Sequence, residues 1–442
     1  MAQYRSFRSM GERFWQGVLK TTAGGSWASQ LPISVQHNLR AFYFDGLFSS
    51  AQDAIVGTYL TLFILALGAT NAQIGFLAAA SSLAATLMLL PGAMLSEKAR
   101  SRKIVVLLSG GIISRLMLLV LAVIPFFVHG QTAVIIAISA KVMADANANL
   151  GFPAWTSLAA DIVPISWRGR YFGMRNIVIG IIGMLVTYLI GQVITSTGSP
   201  YGYQIAFGLA FIVGMCSTFS YSQIREPKLT AHHHAPLSYS PVSIWQTFRA
   251  DPNFLAFCVY SMIWNFAINI AGPFFTVYMV KQLNAPAVMV GFISIAASLA
   301  GLPAQRFFGP LTDKWGARRV MLLTGFLIPL VPFAWVFTTQ AWHPILVNIV
   351  SGILWGGFNL AAFNFMLSIS STKELARYSA IAQISVAVSS AVGAALGGQI
   401  VTHWGYSAIF ICSAIGRLIA SLMFARFVKE VHPSPEIVIS PV

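Results

Sequence analysis

The chain alternates between long apolar runs and short polar breaks. A run of about twenty apolar residues is long enough to cross a hydrocarbon core of ~30 Å as a helix. The pattern predicts twelve such helices. Six cover 41–67, 73–95, 104–127, 132–158, 176–194 and 203–221; six more cover 254–280, 288–310, 320–337, 344–367, 380–401 and 408–428. The longest break, 225–253, is polar, carries Pro227, Pro236, Pro241 and Pro252, and reads as a linker. The expected fold class is therefore an all-α integral membrane protein with twelve transmembrane helices in two six-helix bundles, 41–224 and 254–428. An arm (1–40) and a tail (429–442) flank them.

Composition supports this: 57% of residues are hydrophobic, 9% are charged, and mean hydropathy is +0.73. No soluble globule of this length has such values. The net charge of +15 raises a nucleic-acid reading, which its placement refuses. Nearly all Lys and Arg fall in the arm, alternate loops and the C-terminal end, whereas the opposite loops carry only Lys281. That asymmetry is the positive-inside rule. It places both termini in the cytoplasm, makes the lipid bilayer the surrounding partner, and points to a plasma (bacterial inner) membrane. Cys216, Cys258 and Cys412 each stand alone, so no disulfide framework or metal spacing follows. The first forty residues hold no apolar core of a cleavable signal, and none is expected. Phe7, Met10, Phe14 and Val18 recur at helical spacing among Arg5, Arg8, Arg13 and Lys20. An amphipathic helix on the inner leaflet and a basic arm without structure both fit. His232, His233 and His234 have no acid or cysteine beside them and read as solvated linker, so no metal or cofactor is expected.

Almost the only charged text between the eighth and ninth runs is Gly309-Pro310-Leu311-Thr312-Asp313-Lys314-Trp315-Gly316-Ala317-Arg318-Arg319. Half a chain earlier, at an offset of 216 residues, stands Met94-Leu95-Ser96-Glu97-Lys98-Ala99-Arg100-Ser101-Arg102-Lys103. The same offset carries Gly75-Phe76 onto Gly291-Phe292 and Ser82-Leu83-Ala84 onto Ser298-Leu299-Ala300; farther back it slips by one, and Gly57 meets Gly272. The chain is an internal duplication, read as two bundles related by a pseudo-two-fold axis. Pro164-Ile165-Ser166-Trp167-Arg168-Gly169-Arg170-Tyr171-Phe172-Gly173 follows the fourth helix and is echoed by Glu374-Leu375-Ala376-Arg377-Tyr378.

These loops resemble those of the major facilitator superfamily. The resemblance implies secondary active transport of a small-molecule substrate by alternating access, by a monomer that is not an enzyme. Proton coupling is the first expectation. A facilitative uniporter, or a lipid-moving or receptor-type protein of the same fold, is the alternative. It further implies a cytoplasmic gate built from Asp313, Lys314, Gly316, Arg318 and Arg319, from Glu97, Lys98 and Arg102, and from Arg168 and Arg170. In that gate Asp313 and Glu97 face the starts of helices 5 and 11. The first copy departs from the pattern, with Glu97 for Asp, Arg100 at a Gly position and Ala93 for the leading Gly. Helix 5 has Gly180, Gly183 and Gly191 but no Gly-Pro pair, which lowers a drug-efflux reading.

A charge at membrane depth is costly and is by default a functional candidate. Near the midplane stand Asp53, Arg115, Lys141, Asp145 and Arg417, with Asp45 and Arg306 nearer the helix ends. Helices 1, 4, 7 and 10 line the cavity in the resembled family, which makes Asp53 the first coupling candidate and Asp145 the second; a fixed ion pair is the competing role. Lys141 and Asp145 lie one turn apart and can pair, and Arg115 is placed to complete a triad. Arg417 has no acid at its depth in its own half. Substrate-cavity candidates are Tyr260, Asn265 and Asn269 on helix 7 and Trp355 and Asn359 on helix 10, where amides orient a solute and a ring stacks on it. Contact between helices is the rival role for each Asn.

Overall fold

The computed structural model describes residues 17–18, 20–226, 251–369 and 375–429, and the side chains among them outside 366–381. The arm up to residue 16, the histidine triplet and the echo at Glu374 to Tyr378 lie outside what is described. Ten helices run in order: α1 (Ile33–Ala66), α2 (Asn71–Lys98), α3 (Arg102–Phe127), α4 (Gly130–Ile162), α5 (Arg168–Thr197), α6 (Tyr201–Ser222), α7 (Pro252–Lys281), α8 (Ala287–Trp315), α9 (Ala317–Trp335) and α10 (His343–Ile369). The last helical stretch, Leu375–Phe427, contains Gly405 at φ 79° and ψ −178°. Only glycine adopts that conformation freely, so the stretch divides into α11 (375–404) and α12 (406–427). Eleven stretches are long and apolar enough to cross a membrane, and the division of the last makes twelve. This is an all-α integral membrane fold.

Two helices begin earlier than hydropathy predicts, α1 at Ile33 and α5 at Arg168. Their first turns carry His37, Asn38, Arg40, Arg168 and Arg170, which an apolar scan excludes. Those turns nevertheless bury Leu39 and Tyr171 in one cluster with Leu158, Ile162, Tyr221 and Ile224. Burial of that apolar surface, at about 25 cal/mol per Å², extends the helices past the membrane-like run.

The molecule divides into two units, 1–68 with 84–231 and 69–83 with 232–442. In the first, α1 packs on α5 and α6, and α3 packs on α4 and α6; in the second, α7 packs on the α11–α12 stretch and α8 on α10. The expectation assigned all of 41–224 to one bundle, whereas 69–83 belongs to the second unit. Small residues are the reason. Gly398 approaches the backbone of Asn71 and Ala72, and Ala79 is buried with Ala391 and Ala394. Hydropathy counts a helix but does not say which neighbour its small residues admit.

Each unit closes its last helix with basic residues from the α2–α3 or α8–α9 loop. Lys103 Nζ donates to Ile224 O (2.8 Å), just past α6. Arg318 donates through Nε to Val428 O (2.8 Å) and through Nη2 to Ala425 O (2.7 Å), at the end of α12. Carbonyls left free at a helix C-terminus are natural partners for cations.

Candidate functional site

The first unit encloses a cavity of about 400 Å³ among α1, α3, α4, α5 and α6. Its polar lining comprises Asp45, Gln52, Asp53, Arg115 and Arg175, with Phe152 and Trp155 as aromatic wall. Asp45, Gln52 and Asp53 share one face of α1, because offsets of seven and eight residues are near two helical turns. Asp45 and Asp53 are therefore separated by ~12 Å along the axis.

Asp45 is 6% exposed, and its Oδ1 accepts from Ser217 Oγ at 2.6 Å. Arg115 is buried too, and every arm of its guanidinium is used. Nε donates to Gln52 Oε1 (3.1 Å), Nη2 to Ser217 Oγ (2.8 Å) and Nη1 to Thr218 Oγ1. Ser217 thus relays between guanidinium and carboxylate. Arg175 donates from Nε to Phe42 O (3.3 Å) and lies with its guanidinium carbon 4.6 Å from the Phe42 ring centroid. Two glycines make the space. A Cβ on Gly46 would run into the Arg175 guanidinium, and one on Gly214 would meet Gln52 and the Arg115 stem.

The triad expected of Arg115, Lys141 and Asp145 does not form. Lys141 and Asp145 do pair, Nζ to Oδ1 along α4, but Arg115 turns to α1 and α6 instead. The cause lies in α3, where Leu107–Ile113 forms a π-helical turn. Such a turn inserts one residue and rotates everything after it by about 100°. Asp53 lines the cavity as expected, is exposed, and has Arg115 and Lys141 as its cationic neighbours.

The second-unit candidates are distributed differently. Tyr260 is buried among rings, 6.0 Å from Trp264 and 4.7 Å from Phe424. Asn265 donates back to Ser261 O within α7, and Asn269 donates to Asn265 O and to Ser390 Oγ of α11 (3.0 Å), a contact between helices. Trp355 is half-buried against Trp264 and Phe358, and Asn359 is exposed.

Of the gate candidates, three are held inside their own units. Arg102 binds Ser157 and Asp161 and receives Glu226 on its backbone N–H; Arg168 donates to Ala160 O and Val163 O; Arg318 holds the α12 carbonyls. Arg170 lies over the Trp167 ring. Gly316 ends α8 at φ 85°, a conformation that favours glycine. Glu97, Lys98, Asp313, Lys314 and Arg319 are exposed.

Sequence reasoning passed over Gln52, Trp155, Arg175, Ser217 and Thr218, and it left Asp45 at the margin. The signal for Asp45 and Gln52 was present as a polar stripe on an otherwise apolar α1. Nothing in the sequence announces that Ser217 and Thr218 face a buried guanidinium.

The model of the Major Facilitator Superfamily matches residues 43–270 and 265–440. The chain belongs to this family. Among curated relatives it is 19% identical over 194 residues to Sugar efflux transporter C of Escherichia coli, a match that takes in 42% of this chain and 48% of that protein. It is 31% identical over 115 residues to Lactose permease of Klebsiella pneumoniae, covering 25% of this chain and 85% of that sequence. Solved structures of nucleoside transporter NupG (TM-score 0.67, 14% identity, 88% of this chain and 99% of that one) and a D-xylose-proton symporter (TM-score 0.65, 14% identity, 88% and 97%) share the fold.

Proposed function

We propose that this superfamily member carries a small, net-neutral, hydroxyl-rich solute of sugar or nucleoside type across the membrane by alternating access. The observation that supports this most directly is the charge balance of the first-unit cavity, where Asp45 and Asp53 stand with Arg115 and Arg175. A solute with net charge would upset that balance in a poorly hydrated space. A polyol does not. Its hydroxyls donate to carboxylates and accept from guanidiniums, while Trp155 and Phe152 offer a face to a sugar ring or base. A volume of about 400 Å³ suits a solute of that size. The names of the relatives, sugar and nucleoside transporters among them, agree with this reading.

On this reading transport is coupled to protons through Asp53. Asp45 is held by Ser217, whereas Asp53 is exposed and accepts only a long contact (3.4 Å) from Gln52 Nε2. A carboxylate so loosely held is free to exchange a proton when a nearby guanidinium turns to the solute.

Proteoliposomes test both parts. Counterflow of at least one labelled sugar or nucleoside is expected, together with solute-driven proton flux. Asp53→Asn should keep the counterflow and lose the proton flux. Failure of the wild type to exchange any neutral polyol would overturn the substrate class. Solute flux without proton movement would leave a facilitative uniporter.

A further inference from the structure

Five charged side chains are buried among the described residues: Asp45, Arg102, Arg115, Arg175 and Arg417. Four are engaged by hydrogen bonds, and Arg417 alone has none. It is 3% exposed, and its Nε is enclosed without a partner. Arginine does not escape by losing its proton, as a buried lysine or carboxyl does. Snorkelling is closed to it as well, since Arg417 lies ~15 Å along α12 from the helix end and its side chain is covered.

Its surroundings are defined by contacts one turn to either side. Ser413 Oγ donates to Ala267 O of α7 (2.6 Å), and Ser421 Oγ donates to Gly325 O of α9 (2.7 Å). The stripe 413, 417, 421 therefore faces the interior between α7 and α9. Two further donors on α7 line this region, the Trp264 indole N–H and the Tyr260 hydroxyl. Both residues are under 5% exposed, and neither makes a hydrogen bond with a described residue. Phe424 of α12 packs on Tyr260, and Phe358 stacks on Trp264 at 4.8 Å. Three buried donors, one of them charged, share an aromatic enclosure that supplies no acid. The first unit shows what is missing. The offset of 215 residues that carries Asn38 onto Asn253 carries Asp45 onto Tyr260 and Gln52 onto Ala267, so the groups that satisfy Arg115 have no counterpart here.

We propose that Arg417 is the receptor for a small anion, a halide or a carboxylate- or phosphate-type oxyanion, bound inside the second unit. The guanidinium supplies the charge and the Trp264 and Tyr260 donors supply direction. The anion is either a co-ion from solution or an acidic group on a ligand. This site is separate from the first-unit cavity and does not depend on the solute assigned there.

The test uses the full-length protein in detergent. Thermal unfolding is followed while sodium gluconate is exchanged for chloride, acetate or phosphate at constant ionic strength, and labelled chloride binding is measured directly. Saturable stabilisation by at least one of these anions is expected, together with one bound anion per chain. Arg417→Met should abolish both, and Trp264→Phe should weaken affinity about tenfold. Displacement of chloride by a sugar acid but not by the neutral sugar assigns the anion to a ligand. Chloride binding that persists beside the sugar acid assigns it to solution. Equal stability of the wild type in all four salts with no chloride bound overturns the proposal, as does anion binding that survives in Arg417→Met. If that variant fails to fold, the wild-type measurements alone still decide.

Discussion

Asn38 holds Arg225 by both faces of its backbone: Nδ2 donates to Arg225 O, and Arg225 N–H donates to Oδ1, each at 2.8 Å. The same clasp recurs 215 residues later, where Asn253 pairs with Lys429 at 2.9 and 2.8 Å. In each unit the first helix thereby grips the residue just beyond the last. A side-chain amide matches a peptide group in length and polarity, and both arms are satisfied only by two-way pairing.

Removal of either clasp should loosen its own unit. Asn38 is buried, so Asn38→Ala strands a backbone donor and acceptor and should cost ~1–3 kcal/mol. The Asn253 pair is open to solvent, and Asn253→Ala should cost less. Thermal unfolding of the two variants in detergent measures the difference. Equal losses would contradict this account of burial.

Gly46 and Gly214 leave room for the site. An added Cβ at Gly46 displaces Arg175, and one at Gly214 displaces Gln52 and presses Arg115. Overpacking of this kind costs ~1–3 kcal/mol. Gly46→Ala and Gly214→Ala should fold with lowered stability and lose solute counterflow. Gly180→Ala, where a Cβ meets nothing within 4 Å, should leave counterflow intact.

Ser217 joins Asp45 to Arg115. Ser217→Ala deprives each of a partner, and the loss should fall near 1–3 kcal/mol. Ser217→Thr keeps the hydroxyl and should recover most of it. Stability and transport measured on both variants separate the hydroxyl from the side chain's size.

Arg318 and Arg319 are adjacent in one basic pair but differ in use. Arg318 donates to two carbonyls at the end of α12, whereas Arg319 is exposed. Arg318→Ala should lower the unfolding temperature by a few degrees, in line with ~1–3 kcal/mol for two charge-assisted bonds. Arg319→Ala should leave it near wild type. Hydrogen exchange at 425–428 should quicken only in the first.

Much of this protein is legible in its residues. Apolar runs of membrane length, basic loops on one side and the recurrence of Asp313 text at Glu97 determine twelve helices and a duplicated chain. The reason is that the bilayer and the helix repeat act on each stretch locally. Asp53 was found as a site residue for the same reason, because a carboxylate at that depth is conspicuous. Partnership was not legible. Which way Arg115 points depends on one inserted residue in the π turn Leu107–Ile113, and whether it is satisfied depends on Ser217 and Thr218, some hundred residues downstream. Arg115 and Arg417 look alike along the chain, each an isolated arginine in an apolar run. Only the packing of α6 against α3, and of α12 against α7 and α9, leaves the first enclosed by acceptors and the second by rings. A charge's energy is set by what surrounds it in space, and sequence order does not carry that information.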